Sequence, residues 1–146
     1  MNKTSGTVGR GLSVVVASAL LTVAMGAGVA SAQQVKVTLS GDQEVPAVKT
    51  AGAGTGTIAV AADKSVTGSV TTSGVAGTMA HIHEAAAGKN GPVVIPLSKS
   101  GDSTWSVPAG AKLTDAQFNS FKAGNLYVNV HSAANPGGEV RGQLKP

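Results

Sequence analysis

Three histidines and one methionine carry the chemistry that this sequence could perform. His81 and His83 are separated by a single residue, Ile82. In a β-strand, residues i and i+2 project from the same face about 6.5 Å apart, so both imidazoles could bind one ion. The same alternation places Met79 on the histidine face. A thioether beside imidazoles favours copper, and especially Cu(I), over magnesium or calcium.

The third histidine, His131, ends a predicted strand over residues 126–131. Apolar and polar residues alternate along this strand, which places His131 on its polar face. If this strand lies beside the strand of His81 and His83 with the polar faces aligned, a three-histidine metal site follows, with Met79 as a fourth or axial ligand. In the alternative interpretation the imidazoles are structural, half-exposed and hydrogen-bonded to Ser, Asn or backbone groups.

The composition narrows the classes of protein and site. The absence of cysteine excludes a disulfide framework, a thiolate metal site, a cysteine nucleophile and a lipoprotein anchor. Charged residues make up 12% of the chain and hydrophobic ones 42%, which is too apolar for a disordered chain, and 20 glycines argue against a coiled coil. These proportions favour one β-rich domain.

The N-terminal segment has the pattern of a cleavable signal peptide over residues 1–32. Lys3 and Arg10 are its basic residues, an apolar stretch follows, and Ala30-Ser31-Ala32 matches a signal peptidase site. Cleavage after Ala32 would leave a domain of residues 33–146 in the periplasm or outside the cell. No later stretch is apolar and long enough to span a bilayer.

The remaining charges do not favour nucleic acid as a partner. Without Lys3 and Arg10, nine basic residues exceed the seven acidic ones by two. The lysines are scattered singly, with no arginine cluster or interleaved aromatics that could follow a phosphate backbone. They are typical of a solubilising surface.

Short alternating stretches, separated by Gly, Asn, Asp and Pro, predict an all-β fold. We expect a Greek-key β-sandwich or barrel of short antiparallel strands, with Trp105 as a core residue. The predicted strands cover residues 35–40, 55–62, 66–72, 79–83, 93–97, 104–107, 126–131 and 139–144.

One short helix is predicted over residues 115–123. Thr114 and Gln117 have the spacing of a capping box, in which each side chain bonds the other's backbone N–H. Phe118 and Phe121 form an apolar stripe that should pack on the sheet.

No catalytic residue is predicted. The chain has no G-x-S-x-G motif, no H-E-x-x-H motif and no phosphate-binding loop. Glu84, and Glu139 with Arg141, are interpreted as surface charges or an ordinary cross-strand ion pair.

Three blocks of the sequence resemble the CHRD (chordin) domain family. They are LSGDQEVP at 39–46; AHIH at 80–83 with the loop through Gly88, Asn90, Gly91 and Pro92 into Val93-Val94; and GNLYVNVH at 124–131 with NPGGEVRGQL at 135–144. The family occurs as repeats in chordin, a secreted antagonist of bone morphogenetic proteins, and as single secreted or envelope domains in bacteria. The resemblance therefore implies the fold and an extracytoplasmic location.

His81-Ile82-His83-Glu84 is also similar to the copper-ligating H-x-H-E strand of copper-zinc superoxide dismutases, which are Greek-key barrels. This similarity implies a copper position. The dismutase pattern further includes a bridging histidine, an aspartate for zinc and usually a disulfide. This chain has three histidines and no cysteine, so the zinc half is missing.

The sequence leaves three function hypotheses. The first is a secreted protein that holds one copper ion through His81, His83 and His131, with Met79, for carriage or buffering of copper. The second is an interaction module for an unknown protein or a surface polymer, in which the histidines are structural. The third is a copper oxidoreductase of the dismutase type.

Overall fold

The computed structural model describes residues 31–146 of the chain. The predicted signal peptide therefore lies outside the described residues, apart from its last two. Within residues 31–146, no helix is both long enough and apolar enough to cross a membrane.

The described part of the chain contains nine β-strands, one α-helix and a short 3-10 helix. The strands are β1 (Gln33–Ser40), β2 (Ala53–Val60), β3 (Val66–Ser73), β4 (Gly77–Glu84), β5 (Val93–Pro96), β6 (Ser98–Lys99), β7 (Thr104–Ser106), β8 (Leu126–Ser132) and β9 (Val140–Leu144). The 3-10 helix is Gly41–Gln43 and α1 is Asp115–Lys122.

All nine strands belong to one antiparallel sheet in the order β5-β4-β8-β9-β1-β2-β3-β7-β6. The sheet curls into a nearly closed barrel around a single core. The all-β prediction with one short helix is confirmed. Of the elements in residues 31–146, only the two-residue strand β6 and the 3-10 helix have no counterpart among the predicted ones, since both are too short to show a periodic pattern.

The hydrophobic core follows from alternation along the strands. In β1, Val35, Val37 and Leu39 are at most 3% exposed. In β4, Ala80 and Ile82 are each 1% exposed, as their position between the histidines predicts. Trp105 and the apolar residues of β8 join the same cluster. This packing fixes the inner face of β4 and β8 and leaves the histidines on the outer face.

Helix α1 begins and ends where its sequence predicts, to within one residue. The Thr114 side chain accepts a hydrogen bond from the Gln117 backbone N–H, and the Gln117 side chain accepts one from the Thr114 N–H, which confirms the capping box. Phe121 is fully buried against the sheet, and Phe118 packs beside it. The helix therefore covers one part of the barrel.

Strand β8 differs from the usual half-buried strand, because all seven of its residues are buried. Its inner side chains lie in the core. Its outer side chains include Tyr127, Asn129 and His131, each at most 7% exposed. Asn129 donates a hydrogen bond to Glu44, Tyr127 accepts one from the Gly91 N–H and His131 bonds the Pro136 carbonyl, and these three partners lie in loops outside the sheet. The outer face of β8 is therefore also buried, and polar side chains line it.

Candidate metal site

The pairing of β4 with β8 brings the three histidines to one face of the sheet. Met79 lies opposite His131, and His81 lies opposite Asn129. His83 lies opposite Tyr127. Because residues that pair directly across two strands point to the same side of a sheet, all these side chains share the outer face.

The imidazoles converge closely. Nδ1 of His81 lies 2.9 Å from Nε2 of His131. One ring nitrogen from each of His81, His83 and His131 lies within 4.8 Å of the others. At a tetrahedral ion with bonds of about 2.0 Å, ligand nitrogens are about 3.3 Å apart. Small ring rotations would therefore allow all three to bind one ion.

Two backbone carbonyls determine which nitrogens are free to bind. Nδ1 of His131 lies 2.9 Å from the Pro136 carbonyl oxygen, and Nδ1 of His83 lies 3.0 Å from that of Gly91. A carbonyl oxygen only accepts, so both Nδ1 atoms carry the proton and both Nε2 atoms present a lone pair. Nε2 of His83 is buried and has no hydrogen-bond partner among residues 31–146. A bound metal would satisfy this nitrogen.

The electrostatics keep two imidazoles in the neutral form that binds metals. Burial lowers the pKa of His81 below its usual value, and the neighbouring His131 and His83 lower it further. Burial also lowers the pKa of His83, and the hydrogen bond to Gly91 partly opposes this shift. Both rings are therefore neutral at neutral pH, so neither has to lose its charge before a metal can bind.

The two other residues considered for the site lie differently. Met79 is on the histidine face and half of its surface is exposed, so its thioether is accessible. Its role as a ligand remains a prediction. The Glu84 carboxylate turns to helix α1, where Oε1 accepts a hydrogen bond from the Ser120 hydroxyl at 2.5 Å. Within residues 31–146, no carboxylate joins the histidine group.

A buried charged cluster beside the histidines was not predicted from the sequence. The interpretation of Glu139 and Arg141 as surface charges or a cross-strand ion pair is wrong, because both residues are buried and Arg141 is bonded to Glu44 at 3.2 Å. Glu139 instead accepts a hydrogen bond from Thr50 at 2.7 Å. Glu44 also accepts one from Asn129. The partners are 97 residues apart in sequence, so local spacing gave no signal.

Tyr127 connects this cluster to the histidines. Its ring stacks on His83 with a centroid distance of 4.9 Å and an interplanar angle of 5°. The guanidinium carbon of Arg141 lies 4.0 Å from the centre of the same tyrosine ring. Tyr127 therefore lies between a candidate metal ligand and a buried cation.

Two surface cavities in the described part of the chain lie away from the histidines. One of about 240 Å³ lies between the segments 44–48 and 134–138. A second, of about 440 Å³, is lined by residues that include Asp42, Arg141 and Lys145. No histidine lines either cavity, so the metal position does not form the floor of these clefts.

Comparison with protein families shows which family the chain belongs to. The model of the CHRD domain matches residues 35–144. The chain belongs to the CHRD domain family. This match covers β2 to β9 and all of β1 except its first two residues, and it includes all three histidines, Tyr127 and the Glu44–Arg141 pair. Comparison with curated proteins and with solved structures gives no match.

Proposed function

We propose that this CHRD domain binds one copper ion through His81, His83 and His131 and that it carries or buffers copper outside the cytoplasm. The observation that carries the proposal is the convergence of three ring nitrogens within 4.8 Å on one face of β4 and β8. Two of the three rings are already held in the tautomer that presents Nε2.

The donor set favours copper among the metals that imidazole binds. Three neutral imidazoles suit Zn, Cu, Ni and Fe, and a thioether adds preference for Cu(I). Met79 lies on the same face as the histidines and is half exposed. Among the described residues, no carboxylate approaches the three nitrogens, so nothing in the ligand group selects a hard cation.

Carriage or buffering suits the surroundings of the site better than catalysis. His81 and His83 are only partly buried, so an ion held there could exchange with solvent or a partner. The cavities of 240 and 440 Å³ lie elsewhere, so neither offers a substrate position beside the ion.

The location outside the cytoplasm is part of the proposal. It is supported by the basic residues Lys3 and Arg10, the apolar stretch after them and the Ala30-Ser31-Ala32 site. Intact-mass measurement of exported protein tests it, with Gln33 expected as the first residue. A mass that retains residues 1–32 would contradict the predicted cleavage.

Titration of the purified protein with Cu(I), Cu(II) and Zn(II) tests the metal assignment. We expect one copper ion per chain, with tighter binding of Cu(I) than of Zn(II). A variant with all three histidines replaced by Gln should lose the site and keep the circular dichroism spectrum of the barrel. Equal copper binding by both proteins would leave the interaction module as the better account.

A further inference from the structure

We infer that Tyr127 is a positioning residue for the metal site, fixing both the ring plane and the tautomer of His83. This inference rests on the proposed metal function. It concerns a residue that makes no bond to the ion and acts on His83 through two contacts.

The first contact is the stack between the rings of Tyr127 and His83. Their planes differ by 5° and their centroids are 4.9 Å apart. The two residues pair directly across β4 and β8, so the strand backbones keep the two rings in contact. Tyr127 is 2% exposed, so its own ring has little freedom to turn. The imidazole plane of His83 is therefore set by a fixed neighbour.

The second contact passes through Gly91. The Gly91 backbone N–H donates to the Tyr127 hydroxyl oxygen at 3.2 Å, while the Gly91 carbonyl accepts from Nδ1 of His83 at 3.0 Å. One peptide segment thus links the tyrosine hydroxyl to the proton that determines the His83 tautomer. Gly91 must be glycine, because a Cβ there would overlap the backbone carbonyl of Glu84.

Arg141 packs on the tyrosine ring from β9, which lies on the other side of β8 from the strand of His83. Its guanidinium carbon is 4.0 Å from the ring centre, and its Nη1 donates to the Lys89 carbonyl at 2.9 Å. Nη2 bonds Asn90, and Nε donates to Glu44 at 3.2 Å. The same arginine therefore packs on Tyr127 and holds residues 89 and 90, which precede Gly91. The buried Arg141–Glu44 ion pair therefore stabilises both contacts of Tyr127 with His83.

His81 lacks comparable support. Its ring packs edge-on against His131 and His83, and within the described part of the chain its Nδ1 bonds only to Nε2 of His131. His83 and His131 are each held by a backbone carbonyl before metal arrives, and His81 is the ligand that adjusts. Loss of the Tyr127 contacts should consequently loosen His83 and leave the other two rings in place.

Two substitutions separate the contacts. Tyr127→Phe keeps the stack and removes the hydroxyl, whereas Tyr127→Leu removes both. We expect Cu(I) affinity to fall several-fold in Tyr127→Phe and about 10–100-fold in Tyr127→Leu, the range seen when groups that orient a metal ligand are removed. Nitrogen-15 NMR of the metal-free proteins should show His83 as the Nδ1–H tautomer in the wild type and as a mixture of tautomers in both variants.

Phe121→Leu is the matched control, because Phe121 is a fully buried aromatic residue of helix α1. It should lower stability while Cu(I) affinity and the His83 tautomer stay unchanged. Unchanged affinity and tautomer in both Tyr127 variants would overturn the inference, even if the wild type binds copper. Failure of the wild type to bind copper would overturn the proposed function instead, and the tautomer measurement would still test the positioning of His83.

Discussion

Nδ1 of His81 lies 2.9 Å from Nε2 of His131, and the Pro136 carbonyl fixes the direction of this hydrogen bond. Because the proton of His131 is on Nδ1, its Nε2 accepts, and the donor is Nδ1 of His81. A metal that binds both nitrogens must replace that proton. The proton of His81 can move to its Nε2, and the ring then remains neutral. An ion can therefore replace this hydrogen bond without net release of a proton.

Removal of one histidine should abolish tight copper binding. His83→Ala leaves at most two imidazoles and the Met79 thioether, so we expect copper affinity to fall by about two orders of magnitude or more. The fold should persist, because His83 lies outside the hydrophobic core. Competition titration with a chromophoric chelator measures the affinity, and circular dichroism checks the fold.

Glu84→Ala is the neighbouring control for that experiment. Its carboxylate bonds Ser120 and points away from the histidines, so copper affinity should change much less than in His83→Ala. An equal loss of affinity in the two variants would contradict the ligand assignment.

Acid should destabilise the metal-free protein in a window set by the histidines. The pKa values of His81 and His83 are lowered from 6.5 in the folded protein, mainly by burial. Between 6.5 and the lowered values the unfolded chain binds more protons than the folded one. The free energy of unfolding should therefore fall as the pH drops through this window. Urea denaturation at a series of pH values measures the slope.

A double variant isolates the histidine contribution. His81→Gln with His83→Gln should flatten the slope below 6.5. Glu44 changes the free energy of unfolding in the opposite direction. Burial raises its pKa above 4.5, although Arg141 opposes the shift. On acidification the folded state therefore binds this proton before the unfolded state does. Since Glu44 is present in both proteins, its effect cancels in the comparison. Parallel curves for the two proteins would contradict the assignment.

The elements that carry the ligands could be predicted because they depend on local pattern. Alternation alone placed Ala80 and Ile82 in the core and the flanking histidines outside, and β4 has that arrangement. The capping box at Thr114 located helix α1 in the same way. In each case the determining contacts lie within a few residues along the chain, where sequence spacing and physical distance correspond.

The polar interior over β8 could not be predicted, because it depends on contacts between distant segments. Asn129 and Tyr127 alternate with apolar residues as in a strand with one solvated face, yet both are buried under loops. Arg141 pairs with Glu44 and not with Glu139, which is nearer in sequence. The register of β9 against β8 and β1 directs the arginine side chain to the segment that follows β1. Which carboxylate an arginine meets is decided by topology.

Breaking the buried ion pair should cost more stability than breaking an exposed one. Glu44→Ala leaves the Arg141 guanidinium buried without its carboxylate, which should lower the free energy of unfolding by about 3–5 kcal/mol. Asp115→Asn, which breaks the exposed pair with Lys64, should have a far smaller effect. Urea denaturation of the metal-free variants compares them. Equal effects would show that the buried cluster does not stabilise the fold.

Two adjacent glycines offer a matched test of the turn that carries Pro136. Gly138 has a φ of +129°, and a Cβ there would overlap the Asn129 amide and the Glu44 carboxylate. Gly138→Ala should cost about 1–3 kcal/mol for the backbone alone. A Cβ on Gly137 meets no atom of residues 31–146 within 4 Å, so Gly137→Ala should be close to neutral. Thermal unfolding distinguishes the two, and similar losses would contradict this account of the turn.

The place of Met79 in the copper site can be tested by changing its sulfur with little change in size. Met79→Leu removes the thioether, so Cu(I) affinity should fall about tenfold while Zn(II) affinity stays nearly constant, because zinc has little preference for a thioether. Val93→Ala is the matched control, since Val93 is similarly exposed at 48% and pairs with His83 from the other side of β4. It should leave both affinities unchanged. An equal decrease in Cu(I) and Zn(II) affinity in Met79→Leu would mean that the side chain shields the histidines from solvent. No decrease for either metal would leave three imidazoles as the complete protein ligand set.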